Sequence, residues 1–511
     1  MSTVFDSVRV NIPKRNVFDL SHEVKMSMRM AELVPFFCQE VVPGDTFRMN
    51  AEMFVRLAPL LSPVMHNINC YTHFFFVPNR LVWKNWETFI TGGESGLATP
   101  ILPFMGTANF GESSLGDYLG FPVDVGIPRA SALPFRAYQL IFNEYYRDQN
   151  LIPAVTVSKE DGQDTVTSRN VQKRCWEKDY FTSALPWPQK GGEVKIPMGG
   201  EAPLLYKNGI QMVKQSATGD PAVVSGFKSN VSGTQGQLYG TYTPDIPVSI
   251  DVSRTLSADL STATSVTINE LRRATQLQVW LEHNARGGSR YIEQIMSHFG
   301  VKSSDARLQR PEYLGGGKTP IRISEVLQTS ETTDTSVTGQ MSGHGVASGN
   351  SHSFRSFFEE HGIVIGIMSV LPRTAYQQGI PRFFSKLDKF DFFFPEFAHL
   401  GEQEVKVGEI YATGAGATDD ATFGYQSRYA EYKYIPSRVA GEFRSSLDFW
   451  HMGRKFSSKP SLNQEFVQAN PTTRIFAIET GGEEPETQLY TQIYVNLQAI
   501  RPMPIFGTPQ L

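Results

Sequence analysis

Between Arg428 and Lys459 the chain interleaves cations with rings: Arg428, Lys433, Arg438, Arg444, Arg454, Lys455 and Lys459 stand among Tyr429, Tyr432, Tyr434, Phe443, Phe449 and Trp450. Cations neutralise phosphates and flat rings stack on unpaired bases, so the constellation reads as a contact for single-stranded nucleic acid. The residues singled out for that contact are Arg428, Tyr432, Lys433, Tyr434, Arg438 and Arg444. The same residue types also make a protein interface or a solvated face, and spacing alone leaves these readings open.

Other chemistry finds no support in residue spacing. Gly315, Gly316, Gly317, Lys318 and Thr319 resemble a phosphate loop, but that motif needs glycine where this chain has Glu312. Neither a GxSxG nucleophile elbow, nor a GxGxxG fingerprint, nor an HExxH zinc motif occurs. The adjacent carboxylates Glu359 and Glu360, Asp419 and Asp420, and Glu483 and Glu484 could suggest a glycosidase. Neighbours on a strand point to opposite faces, however, so these read as solvated loop charges. His283 and His298 fall on predicted helices and read as structural. Cys38, Cys70 and Cys175 form neither a CxxC pair nor a zinc-ligand spacing with histidine. The expectation is a protein with no catalytic residues, no metal and no cofactor.

Charge and composition narrow the class. With 47 basic against 51 acidic residues the chain is not a polyanion binder as a whole, so nucleic-acid contact must be local. The N-terminus has no apolar signal core, and the longest apolar stretch, Ile363 to Leu371, is far short of the ~20 residues that span a bilayer. These features predict a chain that starts out soluble in a reducing cytosol. Aromatics make up 12% of the residues, which excludes disorder and implies a well-filled β core, with or without extensive subunit interfaces.

The elements that must position these groups are mainly strands. From Thr46 to Leu57, Phe47, Met49, Ala51, Met53, Val55 and Leu57 alternate with mostly polar residues, which predicts a strand with one buried face. Leu489 to Ala499 alternates in the same way. Ile68 to Val77 ends in Phe74, Phe75 and Phe76, so alternation is lost and both faces must be covered, by another sheet or another subunit. His361 to Val370 and Glu404 to Tyr411 also read as strands. Strands near both ends of the sequence suggest a sheet closed by its termini.

Helices are expected as inserts: Asn79 to Ile90, a stretch from about Pro134, a capped helix from Thr267, and Arg290 to Phe299. This argues against a doubly wound α/β fold. Residues 200–266 read as a surface excursion and 327–353 as an exposed Ser/Thr/Gly loop. Phe74, Phe75 and Phe76, with Phe392, Phe393 and Phe394, are the candidate subunit-interface residues.

Several long segments, in one order, resemble a known family. They are Asn16 to Gly93, with VPFFCQEVVPGDTFRMN and THFFFVPNRLVWKNW, then LPFRAYQLIFNEYYRDQN from Leu133 and INELRRATQLQVWLEHNARGGSRYIEQI from Ile268. YQQGIPRFFSKLDKFDFFFPEF from Tyr376 and YAEYKYIPSRVAGEFRSSLDFWH from Tyr429 to His451 complete the set. The whole resembles the microvirus major capsid proteins of the gokushovirus type, and most of the chain takes part apart from about 200–266 and the Ser/Thr-rich loop.

The resemblance implies a single eight-stranded antiparallel jelly roll of the viral capsid type over residues 1–511, with long loop insertions and a variable 200–266 protrusion at threefold axes. It implies self-assembly into a T=1 icosahedral shell around the circular single-stranded DNA of a bacteriophage. A small basic DNA-binding companion, a scaffolding protein and a host receptor are the implied partners. The implied location is the virion, assembled in the host bacterial cytoplasm, with no membrane insertion. The rival from the residues alone is a secreted β-rich carbohydrate-binding or glycoside-cleaving protein, disfavoured by the lack of a signal core and a disulfide pattern.

Overall fold

A computed structural model describes residues 14–106, 109–194, 267–329, 332, 338–477 and 487–506, together with short strands between 204 and 258. The chain divides into two compact units, residues 1–190 with 284–511, and residues 191–283.

The first unit is built on one large antiparallel sheet. Its strands are β1 (Asn16–Asp19), β2 (His22–Met28), β3 (Val34–Val41), β4 (Thr46–Leu57), β5 (Ile68–Pro78), β6 (Glu312–Leu327), β7 (Met341–Phe357), β8 (Gly362–Pro372) and, last in the chain, β11 (Leu489–Arg501). Across the sheet the order is β1, β11, β4, β7, β6, β5, β8, β3, and β2 shares the β11 edge with β1. Eight positions thus span the sheet, with two short strands at one edge.

Strand β6 joins two halves. Its residues Glu312 to Ile321 pair with β5, and Arg322 to Leu327 pair with β7. The halves enclose one apolar core in which Phe47, Met53 and Val55 of β4 and Ile493 and Leu497 of β11 meet Phe74 and Phe76 of β5 and Val364 and Met368 of β8. A curled antiparallel sheet around a core, with its helices carried in loops, is a jelly roll.

Among the described residues, only the half containing β5 and β8 is covered again on its outer face. There Phe75, Val77, Ile363, Ile365 and Ile367 pack against Val82, Trp83, Phe135, Tyr138 and Phe142. The covering helix, Leu133–Ile141, continues into a wider turn over Phe142–Tyr146. Polar anchors hold this layer down. The buried Tyr138 hydroxyl donates to the Leu33 carbonyl at 2.7 Å and accepts from the Gln172 N–H at 2.9 Å. Arg136, fully buried, donates to Asp164 at 2.7 Å and to the Val82 and Glu160 carbonyls. Burial alone would raise the Asp164 carboxyl, but bonds from Thr167 and Arg136 hold it below the usual range.

Several expectations are refined. The helix predicted over Asn79 to Ile90 breaks at Trp83 into Asn79–Val82 and Trp86–Thr91, and stops at left-handed Gly92. Thr267 and Glu270 exchange the expected capping bonds at the head of Ile268–Gly287. The strand expected over Glu404 to Tyr411 is β9 (Glu402–Lys406), which pairs with β10 (Thr422–Ser427) and runs into a turn at Val407–Glu409.

The loop expected over 327–353 is corrected: from Met341 onward it is β7, in the middle of the sheet. Its small residues answer to close packing, since a Cβ on Gly343 would strike the Ser62 carbonyl and one on Gly345 the Leu57 side chain. The glycine run at 315–317 lies on β6, paired with β5, and is no phosphate loop.

The excursion at 200–266 lies largely outside the described residues. Within it, Met212–Lys214 pairs with both Ala222–Val223 and Val248–Ile250, Phe227–Ser232 pairs with Gln235–Gly240, and Leu204–Tyr206 pairs with Leu256–Ala258.

Candidate functional site

Residues 380–400 form three short turns, Arg382–Phe384, Lys389–Asp391 and Pro395–Phe397, two of them led by Pro381 and Pro395. Proline fixes φ and removes a donor, so this stretch turns repeatedly and joins no sheet. The Asp391 carboxylate accepts from the backbone N–H groups of Asp388 and Leu387, which hold it below the usual carboxylate range. One-turn elements have no inner face large enough for their rings. Phe383, Phe384, Phe390, Phe392, Phe393 and Phe394 are exposed, and Leu387 is 95% exposed.

The next segment extends this apolar surface. Phe393 packs edge-on against Tyr429 at 5.0 Å and Tyr432 at 6.3 Å between ring centres. The Tyr429 N–H is held by Gln403, and the Phe394 N–H by the Tyr429 hydroxyl. Tyr432 and Tyr434 are exposed and Ile435 is 94% exposed. Beneath lies a satellite core of Val405, Val407, Ile410 and Phe423 around β9 and β10. Arg382 is anchored to it by Glu409, which also accepts from the Tyr180 hydroxyl. Burial pushes the Glu409 carboxyl up, against the pull of Arg382.

The six interface candidates therefore separate. Phe392, Phe393 and Phe394 are 53%, 51% and 42% exposed. Phe74, Phe75 and Phe76 are 0%, 1% and 3% exposed, which corrects their placement at a subunit interface: their cover comes from the chain's own sheet and helices.

The nucleic-acid candidates do not converge on one groove. Arg428 lies over the Tyr429 ring at 5.0 Å and lines a cavity of about 170 Å³ shared with Arg382, Lys386, Glu409 and Glu431. The Tyr432 hydroxyl is taken by Lys386 at 2.8 Å, and Lys433 turns back to the Arg428 carbonyl at 3.4 Å. Arg444 donates to the Val439 carbonyl at 3.0 Å. Arg438 lines a different cavity, with Arg373, that shares no residue with the first. Arg454, part of the same sequence constellation, is enclosed by Trp176, Tyr376, Phe456 and Phe466 at 4.2–5.9 Å and serves the core. Sequence reasoning missed Arg373, which nothing local links to Arg438.

The carboxylate pairs are likewise occupied. Glu360 binds Arg80 at 2.6 Å, Asp419 caps the Thr413 loop, and Asp420 binds Lys406 at 2.7 Å. Glu483 and Glu484 lie outside the described residues. Among the described residues no cluster of His, Cys, Asp and Glu could hold a metal ion, and no helix is long and apolar enough to cross a membrane.

A jelly roll that leaves a contiguous aromatic surface outside its own core fits a viral capsid protein, one of the classes built on this fold. The chain belongs to the capsid protein (F protein) family of bacteriophages, whose model matches residues 6–511. It is similar to capsid protein VP1 of Chlamydia phage 1, at 38% identity covering 100% of this chain and 98% of the relative. Capsid protein VP1 of Bdellovibrio phage phiMH2K is 40% identical, covering 97% and 95%. That of Spiroplasma virus 4 is 32% identical, covering 99% and 97%. The protein is the capsid protein of a gokushovirus-type microvirus.

Proposed function

We propose that copies of this capsid protein close a T=1 icosahedral shell around the circular single-stranded DNA of a bacteriophage, with the aromatic surface of residues 380–400 and 432–435 as a principal contact between copies. The exposure of Phe383, Phe384, Leu387, Phe393 and Ile435 carries this reading. Stable interfaces bury ~1,200–2,000 Å² in total and concentrate aromatic anchors at their centres. Electron micrographs of the purified chain test it. Uniform small spheres support the reading, and Phe393→Asp should leave soluble subunits that do not close; normal particles from that variant would remove this surface from the contact.

Assembly in the host bacterial cytoplasm with a scaffolding protein, and division of genome contact with a small basic companion, fit a chain that is itself slightly acidic at −4. DNA contact through Arg428, Tyr432, Lys433, Tyr434, Arg438 and Arg444 is part of the reading. Residues 200–266 are proposed as the variable protrusion at threefold axes that meets the host receptor, since surface insertions commonly carry recognition. Replacing them by a short Gly/Ser linker should leave particles that no longer adsorb to cells. Unimpaired adsorption would place attachment elsewhere.

A further inference from the structure

A surface cavity of about 320 Å³ opens where the end of β8 meets the segment after Tyr434. Its lining includes Arg373, Arg438, Phe443, His66, His451 and Asn67, and contains no acidic residue. In this it differs from the cavity that Arg428 lines and from the one that Arg174 and Arg310 line, each of which sets its cations against carboxylates.

The two arginines have fixed backbones and free heads. The Arg373 N–H donates to the Asn67 carbonyl at 2.9 Å, and its own carbonyl accepts from His66 at 2.6 Å. Arg438 sits on a backbone bridge to Tyr376. Both side chains are exposed, and neither guanidinium has a hydrogen bond or ion pair among the described residues. The neighbouring histidines are engaged with backbone groups. His451 donates from Nε2 to the Phe443 carbonyl at 2.7 Å and accepts the Gly453 N–H on Nδ1 at 2.9 Å, an arrangement only the neutral ring can hold. Burial, with the Arg474 cation nearby, pushes the His66 imidazole below its usual range. Arg474, behind His451, spends its donors on the Asp448, His451 and Gly453 carbonyls and brings no counter-charge.

The cavity thus joins an uncompensated pair of guanidinium groups to a flat surface, the Phe443 ring, which is set edge-on against His451 at 6.0 Å. Its volume is near the lower end of the ~300–1,000 Å³ typical of small-ligand sites, room for one nucleotide. We propose that it seats one nucleotide of a single DNA strand, with the phosphate on Arg373 and Arg438 and the base against Phe443. This rests on the reading that the shell encloses single-stranded DNA. Phosphate contacts position without specifying, so the site accepts any base.

The test is fluorescence anisotropy of the full chain with a fluorescein-labelled 12-mer oligothymidylate, across a salt series. Each phosphate contact on a single strand contributes about 0.7 to the slope of log K against log salt. Because Arg373 and Arg438 share one phosphate, the double variant Arg373→Gln, Arg438→Gln should lose about 0.7 from the slope, and about tenfold in affinity at low salt. Replacing both by lysine should keep the slope. Phe443→Leu should cost about tenfold with the slope unchanged, because it removes a stack and no charge. If the parent chain binds the oligonucleotide and the double glutamine variant keeps its slope and affinity, the cavity is not the site, while DNA contact itself stands. If the parent chain shows no binding at all, the DNA reading fails and takes this site with it.

Discussion

The two halves of the sheet are both antiparallel and have opposite surroundings. On β4 and β11 every second side chain faces the core, and the ones between, such as Tyr490, Tyr494 and Phe54, face out and are exposed. On β5 and β8 both faces are buried: Phe74 and Phe76 enter the shared core, while Phe75 and Val77 enter a second one beneath the helix Leu133–Ile141. A strand's alternation therefore reports how many layers lie on it. Breaks in the alternation mark where the loops have folded back as an extra layer.

The comparison predicts its largest effect at Phe75. Phe75→Ala should destabilise the chain by about 3–5 kcal/mol, the range for a large aromatic removed from a closed core. Its neighbours make the loss hard to absorb, since Tyr145, Tyr146 and Tyr313 surround the ring at 4.7–6.0 Å. Urea unfolding of parent and variant measures this. A loss below about 1 kcal/mol would mean that the outer layer is loosely applied and that the two halves are energetically alike.

Much of this was legible beforehand because periodicity is a local property. Alternation marks Thr46–Leu57 to the residue and Leu489–Ala499 to within two residues, and its loss marks the phenylalanine triplet as a strand covered on both faces. What local patterns could not carry was the partner of each face: the chain's own helix, and not another subunit, covers Phe75. Strand β7 was lost for a related reason. Its Ser and Gly residues resemble a loop until Ser62 and Leu57 are seen pressing on the positions where side chains would stand. The proposed contact surfaces divide in the same way. The run at 392–394 is contiguous and could be picked out, whereas Arg373 and Arg438 meet across 65 positions of chain with no shared pattern.

A second, intermediate effect should come from pH, through His73 on the doubly covered half. His73 on β5 binds the Tyr146 hydroxyl at 2.8 Å. Burial, with Arg174 and His352 adding to it, pushes its pKa from 6.5 down to about 4. Above pH 6.5 both folded and unfolded chains hold it neutral and it adds no pH dependence. Between 6.5 and 4 the unfolded chain takes up a proton that the folded chain refuses, so stability falls with falling pH. Below about 4 both states are charged and the loss levels off, at no more than about 3–4 kcal/mol. Urea midpoints of parent and His73→Gln, measured from pH 7.5 to 4, should diverge across this window, the variant showing the flatter curve. Parallel curves would mean that His73 titrates in the folded chain and that the outer layer admits water there.

The smallest effect belongs to the open face. Tyr494 lies on β11 opposite Glu52 of β4, between Ile493 and Val495, which are both fully buried. Tyr494→Ser removes a ring from solvent-facing sheet surface, so the cost should be the loss of strand preference and some cross-strand contact, about 0.5 kcal/mol. Ile493→Ala, one position away, should cost ~2–5 kcal/mol by opening a cavity between the halves. The ratio of these two losses measures how one-sided the strand is. On β5 the corresponding adjacent pair, Phe74 and Phe75, should give two large losses and a ratio near one. A loss of 2 kcal/mol or more for Tyr494→Ser in the isolated chain would show that something covers this face too, and the contrast between the halves would no longer hold.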